Sequence, residues 1–287
     1  MHQPLHGAAG WFRHPGDRAQ GPREKGQRAM TRSDRLRVDR RTVLRLFAVG
    51  GLTAAVAHAP AWAAPESFID ITLNLRDIGG YAAADGRRIV SGAVYRSAAL
   101  SQVNDEQFAV LTKLRPHTVA DLRSTQSRAI HGPDRLPPGS VALLAPVGDP
   151  DPAPARNKLA QPDSDTLAEF RSYVTSAANR AAFGQVLNTL SASGRSGYLY
   201  HCNSGTFVTG WTTATLMTLL GVPRPSVDTE FLLSNEAYGA TVARTEYLDA
   251  AFAQIQASYQ TFDNYIAEGL GVHAAAVSRL RDILLTR

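Results

Sequence analysis

The chain has 287 residues, 44% of them hydrophobic, enough for one sizeable globular domain. Its net charge of +5 is uneven, because residues 1–63 hold 11 Lys/Arg against 4 Asp/Glu and leave 19 basic and 21 acidic side chains on the remainder. A nucleic-acid surface needs its positive charge on the folded body, so no nucleic-acid partner is expected, and a single cysteine excludes an intrachain disulfide.

Residues 1–29 are rich in Arg, Gly, Gln and Pro, lack periodicity, and read as a disordered or spurious extension ahead of a start at Met30. Asp39-Arg40-Arg41-Thr42-Val43-Leu44-Arg45 resembles a twin-arginine export signal. A short apolar run, Leu46–Ala57, and the small-x-small site Ala61-Trp62-Ala63 complete a leader over residues 30–63, cut before Ala64. The run is too short for a stable span, and no cysteine follows it for a lipid anchor. The expectation is a periplasmic or secreted protein of residues 64–287, delivered by export machinery that reads Arg40 and Arg41.

Ile69–Leu73 alternates as a strand does, and Asp85-Gly86 predicts a hairpin turn before a strand near Ala93–Tyr95. Asn104–Leu114 is amphipathic with Asn104 as its cap, and Pro116 follows. Thr118–Asp121 predicts a short buried strand with a polar exit, Val141–Ala145 another, and Val147–Pro154 a solvated loop. Leu167–Ala177 and Ala181–Leu190 predict helices, and Gly194–Gly197 a turn. Thr241–Gln260, Phe262–Leu270 and Ala274–Leu285 predict a helical tail. Strands alternating with helices through residues 90–220 predict a single α/β domain, with a mostly parallel central sheet flanked by helices and an α-rich C-terminal part.

The chemistry gathers at Tyr198-Leu-Tyr-His-Cys-Asn-Ser-Gly-Thr-Phe-Val-Thr-Gly-Trp211. Tyr198–Tyr200 read as a buried strand, and a helix is predicted from Gly210 to about Leu220. A strand, a tight loop and a helix start make an anion cradle, since loop amides turn inward and the helix dipole adds positive charge. Cys202 at its mouth is expected to have a lowered pKa and to act as a nucleophile. The scattered histidines His117, His131, His201 and His273 predict no metal cluster, and the sequence points to no cofactor.

His201, Cys202, Gly205, Thr209 and Gly210 resemble the His-Cys-x-x-Gly-x-x-Arg-Thr-Gly signature of cysteine-dependent tyrosine/serine phosphatases, bacterial secreted type. Asn74-Leu-Arg-Asp-Ile-Gly-Gly-Tyr81, Tyr95-Arg-Ser97, Asp121-Leu-Arg-Ser124 and the Glu230-Phe-Leu-Leu-Ser-Asn235 run resemble other segments of that family. The resemblance implies a tyrosine-phosphatase-like domain over 64–287. It also implies hydrolysis of phosphate monoesters through a phosphocysteine on Cys202, with Asp121 protonating the leaving oxygen. Asp121 reads equally well as a cap of the next turn paired with Arg123. The phosphate would be held by His201 and the loop Asn203, Ser204, Gly205, Thr206, Phe207, Val208 and Thr209, with Arg76 and Arg123 as further contacts. Phosphorylated protein, phospholipid and small phosphate esters all fit as partners.

The chain departs from the signature where the family's arginine, a bidentate phosphoryl clamp, is replaced by Val208. Thr206 and Phe207 likewise stand where the bacterial branch has Lys and Asp. The rival expectation is therefore an impaired pseudophosphatase that binds phosphorylated ligands.

Overall fold

A computed structural model describes residues 68–148, 161–194 and 197–286. The extension and leader read over residues 1–63, most of the Val147–Pro154 loop and the middle of the Gly194–Gly197 turn lie outside those residues.

The chain enters through β1 (Phe68–Asp70) and β2 (Leu75–Asp77), antiparallel to each other, and β3 (Val94–Ser97), antiparallel to β2. Then come α1 (Asp105–Leu114), β4 (Thr118–Asp121), α2 (Thr125–His131), β5 (Val141–Leu144), α3 (Ser164–Thr175), α4 (Ala177–Ala192) and β6 (Tyr198–His201). The remainder is helical: α5 (Phe207–Leu219), α6 (Arg224–Leu232), α7 (Ser234–Tyr238), α8 (Thr245–Tyr259), α9 (Phe262–Asn264), a π-helical turn and α10 (Ala274–Leu284). The sheet order is β1-β2-β3-β6-β4-β5, parallel from β3 onward. This is the expected mostly parallel α/β domain.

β3, β4 and β6 are buried at every position, as central parallel strands covered on both faces must be. Successive side chains alternate between the two faces. Tyr95, Val119 and Leu199 pack with Leu111 of α1, while Val94, Ala120, Tyr198 and Tyr200 join the larger core beneath α4, α5, α8 and α10. In register, His201 lies between Ser97 of β3 and Asp121 of β4. Three strands thus end at one level, where open α/β sheets form their ligand crevice.

Local differences from the sequence expectations have local causes. Residues 71–73 close into a 3-10 turn rather than extending β1, since Asp70 caps the Thr72 amide and Asn74 turns left-handed. Asp85-Gly86 joins a single bridge, Ala82 to Arg88, not two strands. α2 has no apolar stripe to announce it, and Ser124 caps it through the Ser127 amide. α5 starts at Phe207, three residues before Gly210, because Phe207 is anchored by tertiary packing that local propensity does not report.

Candidate active site

Cys202 follows β6 directly, and residues 203–206 carry the chain from it into α5. The loop is shaped from its outer side. Asn74 Nδ2 donates to the carbonyls of Ser204 and Gly205, each at 3.2 Å. Arg96 donates to the same Gly205 carbonyl, and Tyr238 Oη to the Ser204 carbonyl at 2.5 Å. Partial burial raises the Tyr238 phenol pKa, so it remains a donor. In a planar trans peptide the N–H points opposite the preceding carbonyl. With the Ser204 and Gly205 carbonyls drawn outward, the Gly205 and Thr206 amides turn inward, the latter reaching Ser204 Oγ at 3.2 Å.

The first amides of α5 have no intrahelical acceptor, and Thr206 makes no side-chain cap. The Thr206 and Thr209 hydroxyls are buried, with no hydrogen-bond partner among the described residues. Loop amides, these two hydroxyls and a helix start all follow Cys202 within seven residues, parts of the kind that can receive an anion. Gly205 is required in the loop. Its φ is +69°, and a Cβ there would lie 2.6 Å from the Ser97 carbonyl oxygen.

The other sequence candidates lie behind the loop, not in it. Arg76 is fully buried, donating to Asn74 and, through Nε at 2.7 Å, to Glu230, which also accepts from Arg96 at 2.7 Å. Burial lowers the Arg76 pKa to about 10, with Arg96 adding to the fall and Glu230 opposing it. Arg123 grips both Asp121 oxygens at 2.9 and 2.8 Å and reaches Asp134 at 3.0 Å. Asp121, 2% exposed, also accepts the Arg123 backbone N–H. In this structure the carboxylate of Asp121 and the guanidinium groups of Arg76 and Arg123 all have ion-pair partners. Arg76 pairs with Glu230, while Asp121 and Arg123 pair with each other, the arrangement that the cap-and-pair alternative for Asp121 described.

His201 is fully buried, with Nδ1 at 3.2 Å from the Cys202 carbonyl and Nε2 at 2.8 Å from Asp134. Phe207 packs edge-on against Phe170 of α3 and Tyr247 of α8, with ring centroids 6.0 and 5.9 Å apart, and Val208 is 7% exposed within the main core. Neither side chain offers a polar contact, so only their backbone amides can serve an anion.

A model described as the tyrosine phosphatase family matches residues 69–286. The chain belongs to the tyrosine phosphatase family. It is 27% identical over 272 residues to the triple specificity protein phosphatase PtpB of Mycobacterium tuberculosis, covering 74% of this chain and 96% of that one. It is 28% identical over 257 residues to a putative tyrosine-protein phosphatase of Cupriavidus necator, covering 77% and 92%. The crystal structure of TpbA from P. aeruginosa is similar over 74% of this chain and 98% of that one, at 20% identity and a TM-score of 0.37. The relatives support a phosphatase function for the chain.

Asn74, Arg96 and Glu230 sat inside the resembling segments without an assigned role. Asp134, Ser127 and Tyr238 gave no sequence signal. The Asp121, Asp134 and His201 ligand atoms lie within 4.8 Å of one another, but Arg123 donates to both carboxylates and is the cation there. Burial pushes the Asp134 carboxyl up, yet the His201 bond and charge and then Arg123 outweigh it and hold the pKa below the ordinary 3.8. A depressed carboxylate stabilises fully above its unfolded value and loses that contribution as pH falls through the folded value. Asp134→Asn is thus expected to lower the melting temperature at neutral pH, and the gap from wild type should close only in acid below that carboxylate range. A gap independent of pH across an acid series of thermal melts would remove Asp134 from the ionic network.

Proposed function

We propose that this chain is an exported phosphate-monoester binder of the tyrosine phosphatase family, whose Cys202 turns substrate over slowly. One observation carries the reading. The Ser204 and Gly205 carbonyls are drawn out by Asn74, Arg96 and Tyr238, leaving amides and two unpartnered threonine hydroxyls inside a loop that has neither guanidinium nor free acid. In turnover, Cys202 Sγ bonds to phosphorus and the leaving oxygen departs with its electron pair. With Asp121 held by Arg123, that oxygen takes its proton from water, and water then hydrolyses the phosphocysteine. The loss of one oxyanion donor costs about 10²–10³ in rate, and that of an arginine finger about 10³–10⁵.

Without a positioned acid the rate depends steeply on the leaving group. The chain is expected to hydrolyse an activated aryl phosphate slowly, to leave phosphoserine intact, and to lose the aryl activity in Cys202→Ser. Equal rates on the two esters, or aryl activity surviving Cys202→Ser, would overturn the mechanism. Phosphorylated proteins, phospholipid head groups and small phosphate esters share the recognised group. Export to the periplasm or beyond, with cleavage after Ala63, rests on the order of Arg40-Arg41, the apolar run and the small-x-small site. Normal export of the double variant Arg40→Lys, Arg41→Lys would refute that route. Among the described residues no helix is long and apolar enough to cross a membrane.

A further inference from the structure

The loop from Asn203 to Thr209 carries no cationic side chain. Arg76 and Arg96 are committed to Glu230, and Arg123 to Asp121 and Asp134. One more arginine stands at this end of the sheet. α2 follows the carboxyl end of β4, which lies beside the end of β6 that delivers Cys202. Along α2, Thr125, Gln126, Ala129 and Ile130 are exposed, while Ser124 and Ser127 are buried and Arg128 is half-buried. That spacing of three and four residues is one helix face. Ser127 on this face donates to Asn203 Oδ1 at 2.5 Å, so the face abuts the loop one residue beyond Cys202. Arg128 Nη1 is buried and meets no acceptor among the described residues. A covered guanidinium nitrogen without an acceptor is unfavourable, and an entering oxyanion removes that cost.

We infer that Arg128 is an anion-binding residue of this site, contributing from α2 a guanidinium that the loop lacks at position 208. The inference rests on the Cys202 loop being a phosphate cradle, and its ligand is the same phosphate-monoester dianion. Position 128 carries the charge on a neighbouring helix, so the loop backbone keeps its amides for the anion while the cation approaches from the side.

Cys202 is the only thiol in the chain, so alkylation by iodoacetamide reports on this site without requiring turnover. The full chain is titrated with inorganic phosphate, and protection of Cys202 is measured for wild type, Arg128→Met, Arg128→Lys and Thr209→Val. Alkylation rates without phosphate and thermal melts are recorded alongside. Methionine keeps the apolar stem and removes a charge-assisted donor, so Arg128→Met should need about ten- to a hundred-fold more phosphate for half protection. Lysine restores charge without the fork and should fall between the two. Thr209→Val should also weaken protection. Weaker protection in Thr209→Val with wild-type protection in both Arg128 variants would overturn the role of Arg128 and leave the cradle standing. An unprotected wild-type thiol would overturn the cradle and Arg128 together.

Discussion

Glu230→Gln is expected to leave the chain mostly unfolded at physiological temperature. Glu230 is 1% exposed, and its two carboxylate oxygens each accept from a different fully buried arginine at 2.7 Å. Glutamine preserves the size but removes the carboxylate that, among the described residues, is the only one ion-paired to either cation. Breaking one buried pair costs about 3–5 kcal/mol, against a domain stability of about 5–15 kcal/mol. Here a single substitution strands two charges. The urea midpoint should collapse, or the variant should be recovered only as aggregate. An unfolding free energy within about 1 kcal/mol of wild type, the scale of an exposed ion pair, would mean that solvent reaches the triad and that the buried arrangement is wrong.

Val208→Arg is expected to trade stability for chemistry. Valine at this position is 7% exposed within the core, and the buried carboxylates Glu230, Asp121 and Asp134 already hold other cations. A guanidinium introduced there without ligand lacks a counter-charge, so the melt should fall. Phosphate would supply that charge, and mass action should recover the melt as phosphate is added. Aryl-phosphate turnover should rise by about 10²–10³, the worth of one oxyanion donor. Thr206→Lys should do much less, because an ammonium is a point charge without the bidentate fork. A lowered melt that phosphate does not recover, with unchanged turnover, would mean that residue 208 faces away from the anion and would sink the cradle reading for this chain.

The strand–loop–helix unit around Cys202 was legible because each part leaves a local mark: a buried tyrosine-rich strand, small loop residues and an apolar helix. The parallel sheet followed from alternation of elements. What stayed hidden depends on distance in space. Arg76 and Arg123 sit in segments that resemble a phosphatase, and an arginine near a phosphate site invites a binding role. Only the structure shows that Glu230, 154 residues from Arg76, takes the first, while Asp121 and Asp134 take the second. Asp134 follows Gly132-Pro133 in an irregular stretch with no pattern around it, and its meeting with His201 spans 67 residues. The fate of Phe207 was equally unreadable, since its partners Phe170 and Tyr247 belong to two other helices.

The scaffold behind the Cys202 loop has a bearing on how such a chain can change over time. Gly205 is fixed by the exit of β3, and the carbonyls beside it by Asn74, Arg96 and Tyr238. Glu230 in turn holds Arg96. A lineage that stops needing catalysis can therefore lose its clamp and its acid by drift while the hollow itself persists, because any mutation that spoils the hollow also spoils folding. Ligand recognition can outlast turnover here without selection for recognition, and chemistry can return by few substitutions.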